Sequence, residues 1–186
     1  MDLWIGSRPR DDSIPANDSH VAAVAEHVDQ PPFHYHIVLF EPEIPPNTGN
    51  AGRLAVGTTS TLHLVGKLGF SIDDKEVRRA GLDYWKHVDL HQHANFDEWF
   101  QWFKKNETDA PIFILSKKAT RSIYDIEIPA RAAFVFGKET LGLPDEILER
   151  FQEQSFRIPM FSHLIRSLNL SNAVSIVLYE GIRQNL

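Results

Sequence analysis

Short apolar runs at residues 37–40, 61–65, 112–115 and 133–136 constrain this chain more than any other feature. Strands that are apolar at nearly every position, not at alternate ones, have to be covered on both faces. Their alternation with helical segments predicts an α/β domain, a mostly parallel sheet with helices on both faces. Weaker strands are expected at 88–90 and 156–158. One helix is expected at 48–58, opened by Asn47 or Thr48. Another runs from Asp73 or Asp74 through Ala80 and ends at Gly81. The stripe Phe96, Trp99, Phe100 and Phe103 predicts an amphipathic helix, core and not a base-stacking platform. A further helix is expected at 144–151, with Pro144 in its first turn. The last opens near Ser171 or Asn172 and carries Val174, Val177, Leu178 and Ile182 at helical spacing.

With 186 residues the chain is long enough for one such domain and short for two. No apolar run approaches membrane-spanning length, and the polar, acidic N-terminus is unlike a signal peptide, so no membrane association is expected. Cysteine is absent, which excludes disulfides and thiolate chemistry and agrees with a cytoplasmic location. The net charge is −6, but residues 1–33 hold six acids against Arg8 and Arg10. That Pro-containing stretch reads as an appended acidic arm, and residues 34–186 as the domain proper. Basic clusters lie within the domain: Lys75 with Arg78 and Arg79, Lys104 with Lys105, and Lys117 and Lys118 with Arg121. A local basic face can bind phosphate despite an acidic total.

Three loops carry the candidate chemistry. The first strand runs into Glu41-Pro42-Glu43-Ile44-Pro45-Pro46-Asn47-Thr48-Gly49-Asn50-Ala51-Gly52-Arg53. Ligands of α/β sheets bind beyond the carboxyl ends of strands, where this loop lies. Asn47, Asn50 and Arg53 recur at threes, roughly along one helical face, and Arg beside amides and glycines suits anion or ribose recognition. The bland alternative is a cap at Asn47 and a surface Arg53. The second loop, Gly137-Lys138-Glu139-Thr140-Leu141-Gly142, follows a buried strand. It is no phosphate loop, since Ala132 and Glu139 stand where that motif needs Gly and Ser or Thr, and no GxGxxG follows any strand. The third, Ser167-Leu168-Asn169-Leu170-Ser171-Asn172, crowds hydroxyls and amides at a helix entrance. It can be a well-capped helix or hold a polar ligand on free backbone N–H groups. Two His-x-His pairs, His34/His36 and His91/His93, lack convergent further ligands and read as edge histidines, with no metal expected.

Taken together, the loops at 41–53, 134–144 and 158–172 resemble the three motifs of the SPOUT class of RNA methyltransferases. Residues 40–50 and Arg78-Arg79-Ala80-Gly81-Leu82-Asp83-Tyr84 are similar to its TrmL type. The resemblance runs from about residue 36 to the C-terminus. It implies a C-terminal trefoil knot, a homodimer, and S-adenosylmethionine-dependent 2′-O-methylation of the wobble pyrimidine of tRNA. By position it implies that Leu115, Gly137, Ile158, Ser167 and Leu168 line the cofactor pocket. Asn47, Arg53, Glu139, Ser167 and Asn169 match its catalytic motif positions. The loop 161–166 is longer and more apolar than is usual for the type.

The family assigns Arg53 the proton-accepting role. A guanidinium offers donors and no free lone pair, so positioning a phosphate is the more physical role for it. Glu139 is the other candidate base, though its place in a cofactor loop favours orienting work. Lys75, Arg78, Arg79 and Arg166 are the expected tRNA phosphate contacts. The rival readings are the same chemistry on another RNA, such as ribosomal RNA, and a noncatalytic RNA-binding dimer.

Overall fold

A computed structural model of the chain describes residues 31–71 and 84–186. Their seven strands form one sheet: β1 (His34–Phe40), β2 (Thr61–Val65), β3 (Leu90–His93), β4 (Ile112–Leu115), β5 (Arg121–Ser122), β6 (Arg131–Phe136) and β7 (Ser155–Arg157). The order is β3-β2-β1-β6-β4-β7-β5, and every pairing is parallel. The α-helices among the described residues are α1 (Pro45–Gly57), α2 (Phe96–Asn106), α3 (Asp145–Arg150) and α4 (Leu170–Asn185).

Apolar side chains alternate across the sheet and give it two cores. Tyr35, Ile37 and Leu39 of β1 with Phe134 and Phe136 of β6 pack on Ala51 and Ala55 of α1 and Val174, Val177 and Leu178 of α4. Val38, Ala133 and Val135 point the other way, onto Phe96, Trp99 and Phe103 of α2 and Ile147 of α3. Each such buried side chain contributes about 1.5–3 kcal/mol, which is why the central strands read as unbroken apolar runs. Asn95 opens α2 by accepting from Glu98 N at 2.9 Å, while the Glu98 carboxylate accepts from Ala94 N at 3.0 Å. None of the described helices is long and apolar enough to cross a membrane.

Several boundaries differ from expectation, each for a local reason. Helix α1 starts at Pro45, not near Thr48, with Ile44 as an N-cap that makes no side-chain hydrogen bond. Pro45 and Pro46 lack the N–H groups that a helix start leaves orphaned, and their fixed φ suits its first turn. Asn47 is therefore no cap, and only Asn50 and Arg53 of its triplet are exposed. β3 is Leu90–His93, displaced from 88–90 because its inward positions hold histidine, not aliphatics. The two-residue β5 at the sheet edge was not expected. Helix α4 is capped by Asn169, which accepts from Ser171 N and Asn172 N, not by Ser171 or Asn172. The compact unit begins at Pro31, three residues before the expected boundary, because Phe33 is buried and stacks on Tyr35. The expected helix after Asp73 lies outside the described residues, as do Lys75, Arg78 and Arg79.

The histidine pairs are not all edge residues. His36, His63 and His93, on three adjacent strands, are buried beneath α2. His36 Nδ1 and His63 Nε2 lie 2.9 Å apart, and His63 Nδ1 and His93 Nε2 lie 3.0 Å apart. Trp102 rests on the row, 4.9 Å from the His63 ring. Glu107 Oε1 stands 3.4 Å from His36 Nε2 and is held by Arg131. Burial pushes His63 down to about 2 and His36 down to about 4, with neighbouring imidazoles adding to the shift. These rings are neutral in the folded protein. Among the described residues no group of three or more His, Cys, Asp or Glu is arranged to hold a metal.

Candidate active site at the carboxyl ends of the strands

Parallel strands β1, β6, β4 and β7 lie side by side, so the loops leaving them open along one edge of the sheet. Leu115 ends β4 in register with Phe136 of β6 and Phe156 of β7. Gly137 directly follows Phe136, and Ile158 comes two residues after Phe156. Positions 43, 23 and 21 residues apart in sequence are thus adjacent at the edge.

At Gly137 the chain doubles back on itself. Gly142 N donates to Lys138 O at 2.9 Å, and Gly142 adopts φ +73°. A Cβ at Gly137 would stand 2.2 Å from the Gly142 carbonyl carbon and 2.3 Å from Leu143 N, both backbone atoms with no freedom to move aside. Lys138 Nζ meets Glu41 Oε2 at 2.8 Å, and Thr140 Oγ1 donates to Glu43 Oε2 at 2.8 Å. Both contacts tie this loop to the one after β1.

A relay of polar side chains crosses the three loops. The Glu139 carboxylate accepts from Glu43 N at 2.9 Å, Ile44 N at 3.3 Å and Asn47 Nδ2 at 2.8 Å. Asn47 Oδ1 accepts from Asn169 Nδ2 at 2.9 Å. Asn169 Oδ1 in turn accepts from Ser171 N at 3.0 Å and Ser171 Oγ at 2.8 Å. A carboxylate only accepts and a backbone N–H only donates, so both ends dictate the amide orientations between them. The polar entrance of α4 is therefore both a cap and a junction. Asn47, Glu139 and Asn169 form one unit.

Arg53 rides on the same helix as Asn47 but makes no hydrogen bond to this relay. It is exposed, with its guanidinium 5.2 Å from the Tyr84 ring centroid. Tyr84 OH donates to Gly49 O at 3.0 Å, which anchors the ring against α1. Burial raises the Tyr84 phenol above its ordinary range, while Arg53 pulls it down. Nothing in the spacing of residues 53 and 84 signals this pair. Ser167 and Arg166 are exposed on the loop before Asn169, and Leu168 is half-buried.

A parallel sheet with convergent glycine and amide loops at its carboxyl edge defines a methylase class. Residues 34–179 match the model of the SpoU rRNA Methylase family, and the chain belongs to that family. A tRNA (cytidine(34)-2'-O)-methyltransferase of Acidovorax sp. (strain JS42) is 47% identical over 153 residues, 81% of this chain and 92% of that protein. Its namesake in Saccharophagus degradans is 47% identical over 151 residues, 81% of this chain and 95% of that one. A solved structure concerned with the 2-OH methylation of C/U34 on tRNA superposes with a TM-score of 0.76. It is 40% identical, and the match covers 82% of this chain and 97% of that one.

Proposed function

We propose that this chain transfers a methyl group from S-adenosylmethionine to the ribose 2′-hydroxyl of the wobble pyrimidine of tRNA. The observation that carries the reading is the Glu139–Asn47–Asn169 relay, which joins all three loops at the carboxyl edge of the sheet. The names of the relatives supply the substrate class.

The edge suits the cofactor. Leu115 and Ile158 offer half-buried aliphatic faces, and beside Gly137 the backbone turns too tightly for any side chain. With Ser167 and Leu168 these residues would hold it. When bound, S-adenosylmethionine supplies a methyl group activated by sulfonium. The ribose hydroxyl must lose its proton as its oxygen bonds to that methyl. Glu139 is a poor acceptor for this proton, because three donors already occupy its carboxylate. It orients Asn47 instead. Among the described residues Arg53 has no carboxylate partner, so it is available for a substrate phosphate. A guanidinium there fixes the ribose and stabilises the developing alkoxide. The proton leaves to water or to a phosphate oxygen.

The same reading includes the knotted path of the C-terminal third, a homodimer and a cytoplasmic location. Leu141, Leu164, Ile165 and Tyr179 are apolar and exposed, surface that a second copy would cover. Ribosomal RNA remains the rival substrate because the family description names it. Labelled methyl transfer to unmodified bulk tRNA, followed by nucleoside mapping, separates the two. A 2′-O-methylated wobble pyrimidine that vanishes in Arg53→Ala is the expected result. Transfer to ribosomal RNA alone would replace the tRNA reading.

A further inference from the structure

Basic side chains at the carboxyl edge fall into two groups. Lys118 is paired with Asp145 at 2.6 Å. Arg121 donates to Glu153 O at 3.0 Å and lies over the Phe156 ring at 4.7 Å. Lys117 and Arg157 are exposed and have no carboxylate partner among the described residues. They are brought together because Lys117 follows β4 by two residues and Arg157 closes the neighbouring strand β7.

These two cations line a cleft of about 210 Å³ whose remaining walls are Ile158, Pro159, Met160 and Phe161. Phe161 is 98% exposed. A cleft this small is below the size of pockets that enclose a whole drug-sized ligand, which start at about 300 Å³, and so is too small for the complete cofactor. It suits part of a nucleotide. Two unpaired cations beside an apolar wall with an uncovered aromatic ring are the elements by which proteins hold single-stranded nucleic acid: charge for the backbone, a ring for the base.

We propose that this cleft holds a nucleotide flanking the methylated one, with its phosphate on Lys117 and Arg157 and its base stacked on Phe161. The inference rests on the tRNA reading above and deepens it. Its place beside Ile158 sets the flanking nucleotide next to the cofactor edge, so the contact positions the target ribose as well as adding affinity.

The test uses full-length protein, unmodified bulk tRNA and S-adenosylmethionine, with Lys117→Ala/Arg157→Ala, Phe161→Leu and Phe161→Trp variants. Binding of tRNA is measured across a salt series, beside cofactor affinity, molar mass and the KM and kcat for methyl transfer. The double variant is expected to weaken tRNA binding and reduce the slope of log K against log salt by about 1.4. Phe161→Leu is expected to weaken tRNA binding by roughly 5- to 150-fold and Phe161→Trp to restore it. Cofactor affinity and molar mass are expected to stay at wild-type values. A wild-type salt slope with unchanged tRNA affinity in all variants would overturn the inference while leaving the function intact. A fall in cofactor affinity would assign the cleft to the cofactor pocket, and a fall in molar mass would assign it to a second copy; either overturns the inference. Wild-type protein that neither binds nor methylates tRNA would remove both.

Discussion

Asn169 serves a helix and a site with different atoms, so single-atom changes can separate its duties. Aspartate caps a helix as well as asparagine does, and a negative charge suits the N-terminus of α4. It cannot donate to Asn47 Oδ1, however, and would turn a carboxylate oxygen on that acceptor. Asn169→Asp is therefore expected to keep a near-wild-type melting temperature and lose methyl transfer. Wild-type kcat in a folded Asn169→Asp enzyme would show that the relay only holds the fold. Glu139→Ala is the opposite case. It strips the partner from Glu43 N, Ile44 N and Asn47 Nδ2, a loss of about 1–3 kcal/mol for the stranded groups. Denaturant unfolding should register it together with the loss of activity. Unchanged unfolding would mean that water replaces the carboxylate at no cost.

Elements differ in how openly the sequence announces them. β1, β2, β4 and β6 were legible because burial on both faces demands uninterrupted apolar residues, and α2 because its aromatic stripe has helical spacing. β3 was not legible, since the hydrophobic rule has no place for a strand that buries histidine. The start of α1 was obscured by prolines that read equally well as a stiff loop. At the site, the three loops stood out as glycine, amide and Arg clusters, yet the Asn47–Asn169 contact links helices far apart in sequence. Arg53 and Tyr84 share no spacing rule at all. The glycine loop yields a ranked prediction. Gly142→Ala meets no neighbour and suffers only the cost of φ +73°, about 1 kcal/mol. Gly137→Ala collides with backbone and should cost more, at the upper end of the 1–3 kcal/mol typical of overpacking, with loss of cofactor binding. Equal melting temperatures for the two variants would contradict that ranking. The buried histidine row gives another. Below about pH 6.5 the unfolded chain takes up protons on these imidazoles and the folded chain does not, so stability falls with pH. For His36 that loss runs from about 6.5 down to about 4, on the order of 3 kcal/mol. His34, His91 and Arg131 face the row as further cations, and Glu98 and Glu107 oppose them. Glu107, held below the usual carboxylate value by Arg131 and His36 against the effect of burial, adds its own loss only below about pH 4.5. Urea midpoints that stay level from pH 7.5 to 5 would refute the burial account, and His63→Gln should flatten the slope.

At the scale of the whole molecule, the arm and the domain can be tested apart. Residues 1–30 lie outside the compact unit that begins at Pro31, so their deletion should leave methyl transfer intact. Removing residues 1–33 also takes away Phe33, 8% exposed and stacked 5.5 Å from Tyr35, and should destabilise by roughly the 3–5 kcal/mol of a buried Phe truncation. Loss of activity in a folded protein lacking only residues 1–30 would tie the arm to catalysis. The relay has a temporal meaning too. Its two bonds at Asn47 join residues 92 and 122 positions apart, so they cannot form until nearly the whole chain has been synthesised and closed. Closing such long segments is slow compared with forming local turns and helices. In refolding from urea, far-UV signal should therefore return before cofactor binding does, and competence to bind becomes a late report that the last helix has docked. A half-made chain on the ribosome has strands and helices but no Asn169, and so cannot engage its substrate early.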